Sequence, residues 1–160
     1  MPNEEMTTPK VPATPLPKAE EQLCFAIYSA GHAFTRLYRA VLAELGLTYP
    51  QYLVMLVLWD HDGVTVKEIG ERLMLDSGTL TPLLKRLEAA GLVRRERGRA
   101  DERQVRLNLT EAGRALSEKA RLVPERMACA IGGAAERGAA LTEDLHALRQ
   151  ALLKAAGGPA

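Results

Sequence analysis

Two cysteines, Cys24 and Cys129, stand more than a hundred residues apart in a chain of 160. A cysteine can pack as a small apolar side chain, bind a metal, or react as a thiolate. Zinc ligands come in short pairs such as CxxC, and no such pair exists here. His32, His61 and His146 have no ligand-like spacing to one another or to cysteine. No metal site and no cofactor are therefore expected. What remains is a choice between inert packing and redox chemistry. A free thiol titrates near 8.5, and only the thiolate attacks a peroxide well. The N-terminal end of a helix favours a nearby thiolate, whereas Glu20 and Glu21 oppose it. Phenolic O–H donors would favour the charged sulfur, and two of the four tyrosines, Tyr38 and Tyr49, follow Cys24.

A second set of residues suits phosphate chemistry. Ser77, Thr79 and Thr81 open a segment whose Leu80, Leu83, Leu84 and Leu87 recur at helical spacing, with Lys85 and Arg86 farther along. Free N–H groups and short hydroxyls at a helix N-terminus attract anions. From Lys85 to Arg106, eight Lys or Arg (Lys85, Arg86, Arg94, Arg95, Arg97, Arg99, Arg103, Arg106) face Glu88, Glu96, Asp101 and Glu102, an excess of four positive charges. The whole chain carries only +1. Such local focusing, rather than total charge, supplies phosphate binding.

The elements that must hold these residues are mostly helical. Residues 1–18 contain Pro2, Pro9, Pro12, Pro15 and Pro17 and no periodicity, which predicts a flexible proline-rich arm. A helix follows from about Lys18–Glu20 to Leu45, with Leu23, Ile27, Phe34, Leu37 and Val41 on one face. Thr48 caps an apolar helix with Pro50 in its first turn, ending before Gly63. "VTVKEIGERLML" reads as a short helix, and Asp76 or Ser77 caps the next, which stops at Gly91. Pro82 predicts some irregularity there. Leu92 and Val93, then Val105, Leu107 and Leu109, predict a hairpin with a charged tip. Thr110 caps a long helix running toward residue 135 and kinked or ended at Pro124, and a last helix starts at Thr142 and stops at Gly157.

The expected fold is mainly α with a small β-hairpin wing: a winged helix-turn-helix of about 48–110, in which the second helix of the turn motif enters the major groove. Helices of about 19–46 and 111–157, expected to form a dimerisation region, complete a single domain over 19–160. No apolar run spans a bilayer and no secretory pattern opens the chain, so a cytoplasmic protein without a membrane partner is expected. Disulfides are uncommon there and usually transient.

Residues Leu23 to Leu116 resemble the MarR family of winged-helix regulators, most strongly in "LMLDSGTLTPLLKRLEAAGLVRRERGRADERQVRLNLTEAG". Within the family, "LCFAIYSA", "LTYPQYLVMLVLW" and "LDSGTLTPLLKRLE" resemble the organic-hydroperoxide repressors, the OhrR subgroup, in its two-cysteine form. The resemblance implies a homodimeric, redox-sensing repressor that binds double-stranded operator DNA and responds to organic hydroperoxide. It implies that Cys24 is oxidised, that Tyr38 and Tyr49 hydrogen-bond its sulfur, and that Cys129 forms a disulfide with it. It further implies DNA contacts by Asp76, Ser77, Thr79, Arg86 and the wing, where Asp101 orients Arg103 into the minor groove; Thr81 joins them from the helix reading.

Given that pairing, fourteen residues between Cys24 and Tyr38 correspond to ~21 Å of helix rise at ~1.5 Å per residue. One straight helix keeps the two side chains apart, so the sensor site would be shared by two chains whose first helices cross antiparallel. Three other functions compete. A repressor of the same fold could release DNA on binding a small phenolic ligand, with Cys24 inert. An enzyme such as a thiol peroxidase lacks support, because no thioredoxin-like βαβ pattern or CxxC appears. A purely structural helical dimer would show no salt-dependent DNA binding.

Overall fold

The computed structural model describes residues 16–97, 104–132 and 136–157. The chain divides into two units, Met1–Phe34 and Thr35–Ala160. The predicted proline-rich arm lies outside the described residues except for its last three positions.

In the first unit a single 3-10 turn, Ala19–Glu21, precedes helix α1, Leu23–Val41, which runs on into the second unit. The expected helix to Leu45 is therefore shorter. It gives way to a second 3-10 turn, Ala43–Leu45, closed by Gly46 in the left-handed region at φ 64°. Only glycine takes that conformation without steric cost.

The second unit continues with α2 (Tyr49–Asp60), α3 (Val66–Leu73) and α4 (Ser77–Ala89). At the start of each, a side chain accepts from an otherwise orphaned N–H group. At α2, Gln51 Oε1 accepts from the Thr48 N–H at 2.8 Å. At α3, Thr65 and Glu68 bond reciprocally: Glu68 N–H donates to Thr65 Oγ1 at 3.2 Å, and Thr65 N–H donates to Glu68 Oε2 at 2.7 Å. At α4, Asp76 Oδ1 accepts from the Thr79 N–H at 2.9 Å. Helix α4 continues through Pro82.

Strands β1 (Val93–Arg97) and β2 (Val105–Leu109) pair antiparallel, with Val93 opposite Leu109 and Arg97 opposite Val105. A third, one-residue bridge joins Thr65 to Arg106. The Leu107 N–H donates to the Val64 carbonyl at 2.8 Å, and Arg106 Nη1 donates to the Gly63 carbonyl at 2.7 Å. The hairpin is thus rooted on the turn between α2 and α3.

The predicted long helix after Thr110 is two helices, α5 (Glu111–Ala120) and α6 (Val123–Ile131). Pro124 sits in the first turn of α6, where its missing N–H costs nothing, so the break falls just before it. The last helix, α7, spans Gly138–Ala155 and starts four residues before the expected cap. Thr142 is inside it, its hydroxyl donating back to the Gly138 carbonyl at 2.8 Å.

The core of this unit comes from every element between Leu42 and Met127. Leu42, Met55, Leu58, Ile69, Leu84, Leu87, Val93 and Leu107 are almost completely buried. Each fully buried side chain of this size stabilises by about 1.5–3 kcal/mol relative to exposure. Leu80, Leu83, Leu84 and Leu87 thus hold α4 by one face and leave Ser77, Thr79, Thr81 and Arg86 exposed on the other.

Candidate DNA interface and thiol site

The predicted DNA-contacting residues of α4 gather on one exposed surface. Asp76 caps the helix with both carboxylate oxygens: Oδ1 takes the Thr79 N–H and Oδ2 the Thr79 hydroxyl, the latter at 2.8 Å. These bonds, first the one from the Thr79 backbone, hold the Asp76 carboxyl below the usual carboxylate range. Thr79 is thereby fixed in one rotamer and its hydroxyl proton is committed to Asp76. Asp101 and Arg103, predicted to act from the wing, lie outside the described residues.

A joint at the base of the wing carries no sequence signature as a unit. Asp62 Oδ1 accepts from the N–H groups of Gly63 and Leu109 at 2.9 and 2.8 Å, and Oδ2 pairs with Arg114 Nη1 at 2.8 Å. Arg114 Nη2 donates to the Leu109 carbonyl at 3.1 Å, and Trp59 Nε1 donates to the Gly113 carbonyl at 2.9 Å. The end of α2, the end of β2 and the start of α5 are locked together.

Cys24 and Cys129 are both free and exposed. In the first unit, Cys24 Sγ lies 3.7 Å from Gln22 Oε1, which accepts from the thiol. Pro17, Ala19, Phe25 and Tyr28 line a shallow apolar recess with it. In the second unit, Tyr38 and Tyr49 stack, ring centroids 4.2 Å apart. Tyr52 lies 6.2 Å from Tyr38 and again 6.2 Å from Trp59. Burial, first of all, raises the phenols of Tyr38, Tyr49 and Tyr52 above their ordinary value. All three therefore remain O–H donors at neutral pH. Cys24 and Tyr38 both belong to α1. Cys129 lies on α6, beside the buried Met127 but facing outward.

Tyr52, read from the sequence as a packing residue, is buried against Tyr38 and Trp59, whereas sequence reasoning missed Arg95 as an inward-facing arginine. The alternation Val93, Arg95, Arg97 along β1 carried that signal, because residues two apart share a face. No helix of the described residues is long and apolar enough to cross a membrane, and among them no group of acidic, histidine or cysteine residues could hold a metal ion.

Three stacked or capped helices ending in an antiparallel hairpin, with an exposed hydroxyl-bearing helix beside a basic wing, define a winged-helix protein. Residues 36–120 match the family model described as transcriptional regulator SarA/Rot. The chain is 55% identical over 138 residues to the HTH-type transcriptional regulator TtmR of Methylorubrum extorquens, covering 86% of this chain and 71% of that protein. It is 47% identical over 135 residues to the organic hydroperoxide resistance transcriptional regulator of Bacillus subtilis, covering 84% and 87%. Among solved structures, reduced AbfR bound to DNA, from Staphylococcus epidermidis, superposes with a TM-score of 0.73 at 38% identity over 83% of this chain and 91% of that one. The disulfide-formed AbfR gives a TM-score of 0.59 at 39% identity over 79% and 90%. The chain belongs to the MarR/SarA winged-helix family of transcriptional regulators. It is a DNA-binding regulator related to the organic-hydroperoxide repressors.

Proposed function

We propose that this regulator is a cytoplasmic, homodimeric repressor that leaves its operator when organic hydroperoxide oxidises Cys24. The observation that carries the reading is the 47% identity to the Bacillus regulator, over nearly the whole of both chains, together with a free, exposed Cys24 at the start of α1. The apolar side chains left uncovered on α1 (Leu23, Ile27, Phe34) and on α7 (Leu141, Leu145, Leu152) support pairing with a second copy. Helix α4 enters the major groove with Asp76, Ser77, Thr79, Thr81 and Arg86 at its exposed surface, while Asp101 and Arg103 of the wing reach the minor groove.

In the resting state Tyr38 and Tyr49 of one copy donate to the Cys24 sulfur of the other and favour its thiolate. The thiolate attacks the outer oxygen of the hydroperoxide. A new S–O bond forms, the O–O bond breaks, and the alkoxide leaves as an alcohol once protonated, giving Cys24 sulfenic acid. The Cys129 thiol of the partner copy then attacks that sulfur. A disulfide forms and the hydroxyl leaves as water. Closing the bond needs Cα atoms within about 7 Å, so helix movement accompanies it and turns the two α4 helices out of register with successive major grooves.

The test is a gel-shift titration on the promoter upstream of the protein's own gene, with and without cumene hydroperoxide. Wild type should release DNA on oxidation, and Cys24→Ser should bind normally and stay bound. Release of Cys24→Ser at the same oxidant dose removes Cys24 from the mechanism.

A second reading has its own observation. A cleft between α2 and α5 is lined by Tyr52, Leu56 and Trp59, with Arg121 and the Arg114–Asp62 pair at its polar wall, a mainly apolar and aromatic lining that suits a small phenolic ligand. In that case wild type and Cys24→Ser release DNA alike on addition of the phenol.

A further inference from the structure

Arg95 is on the inner face of β1, two residues after the buried Val93 and opposite the buried Leu107. Its side chain is 27% exposed, whereas that of Arg94 is 61% exposed. The side chain lines a cleft between the wing, α3 and α4, whose walls include Glu68, Glu71, Thr81, Leu84 and Val105. Nη2 donates a long bond to the Thr81 carbonyl at 3.5 Å. Nε stands 3.5 Å from Glu88 Oε2, an ion pair without hydrogen-bond alignment, so its N–H remains unmatched. The main chain is held too: the Arg95 N–H donates to Glu88 Oε1 at 3.3 Å. One glutamate in the last turns of α4 thus grips both the backbone and the side chain of the first wing strand.

We propose that Arg95 is a positioning residue which, through Glu88 and the Thr81 carbonyl, sets α4 and the wing at one mutual angle, so that both reach the duplex as a rigid pair. Arg95 does this without touching DNA. Its head group points into the cleft while Arg94, Arg97 and Arg86 are exposed. Preorganisation is the physical gain: two DNA-reading elements already fixed relative to each other lose less freedom on binding than two hinged ones. The planar guanidinium suits the task because it presents several donors in a fixed fork, which the point charge of lysine does not reproduce.

The inference rests on the reading that α4 and the wing both contact DNA. The experiment separates the two claims. Full-length wild type is used to select an operator duplex from a random pool. Binding to that duplex and to an unrelated one of equal length is then measured by anisotropy over a salt series. If wild type selects no duplex, the functional reading itself fails. If it does, Arg95→Ala should weaken operator binding about tenfold, with little change on the unrelated duplex. Its slope of log affinity against log salt should stay within about half a unit of wild type, because no phosphate contact is lost. Arg95→Lys should show most of the same defect, and the reversed pair Glu88→Arg with Arg95→Glu should recover part of it. A salt slope smaller by about one, weaker binding to both duplexes and normal binding by Arg95→Lys would make Arg95 a phosphate contact and overturn the proposal. Should Arg95→Ala fail to fold by circular dichroism, Glu88→Gln decides, since it leaves the arginine in place. Reduced operator affinity with an unchanged salt slope supports the proposal, and wild-type affinity overturns it.

Discussion

Tyr38 and Tyr49 stack at a centroid distance of 4.2 Å with their planes tilted by 30°, although they come from different helices, α1 and α2. Their burial raises both phenols, and that of Tyr52 beside them. A group whose pKa is raised on folding contributes stability that is present below its unfolded value and is lost as pH rises through the folded one. The protein should therefore lose stability in the alkaline range of phenol titration. The double variant Tyr38→Phe with Tyr49→Phe should lose less over the same range, as read by melting temperature against pH. If the phenols also serve Cys24, each single phenylalanine variant should slow its oxidation by hydroperoxide, followed by loss of free thiol. An unchanged rate in both would separate the stack from the thiol chemistry.

Asp76 presents the opposite sign. Its carboxyl is lowered by the Thr79 N–H and hydroxyl, so the stability it contributes is present above its unfolded value and is lost as pH falls through its lower folded one. Asp76→Asn keeps an oxygen for the Thr79 N–H but not the charge, so it should melt slightly below wild type at neutral pH and lose less on acidification. Asp76→Ala should melt lower at neutral pH. It should also weaken operator binding, because Thr79 loses its fixed rotamer. Equal melting curves for all three proteins across the acid range would contradict the capping role.

Gly113 admits no side chain. A Cβ there would lie 2.0 Å from the Leu92 carbonyl oxygen, a backbone atom that cannot swing aside. The Gly113 N–H also donates to Thr110 Oγ1 at 3.0 Å while its carbonyl takes the Trp59 indole. Gly113→Ala should destabilise by about 1–3 kcal/mol, the usual cost of overpacking, measured by urea unfolding. A difference below ~0.5 kcal/mol, typical of a neutral surface change, would show that the joint yields easily.

Cys129 faces outward from α6 and is free, as is Cys24. After one equivalent of organic hydroperoxide, a non-reducing gel should show a covalent dimer of wild type that reducing agent reverses. The band should vanish in Cys24→Ser and in Cys129→Ser. A single-chain band whose mass shows an internal Cys24–Cys129 bond, or a mixed disulfide with a small thiol, would end the intersubunit pairing while leaving Cys24 as the sensor.

The helix starts were legible in the amino-acid sequence because capping is local. Thr48, Asp76 and Thr110 each lie within three residues of the N–H groups or side chains they engage. The apolar spacing of Leu80, Leu83, Leu84 and Leu87 likewise determined which face of α4 is buried, and the alternation in β2 determined the wing. Local rules failed where two were in competition. Thr142 looks like a cap, but Ala139, Ala140 and Leu141 are strong helix formers, and the helix extends through them to Gly138. Helix α1 ends at Val41 rather than Leu45, giving way to the 3-10 turn Ala43–Leu45 that Gly46 closes in the left-handed region. Only the tertiary structure decided what Arg95 meets across the cleft, which tyrosines stack, and that Asp62, Arg114 and Trp59 join three elements. Those pairings span up to 54 residues of sequence. Periodicity states which side a residue faces, whereas the partner on that side depends on how separate elements come together.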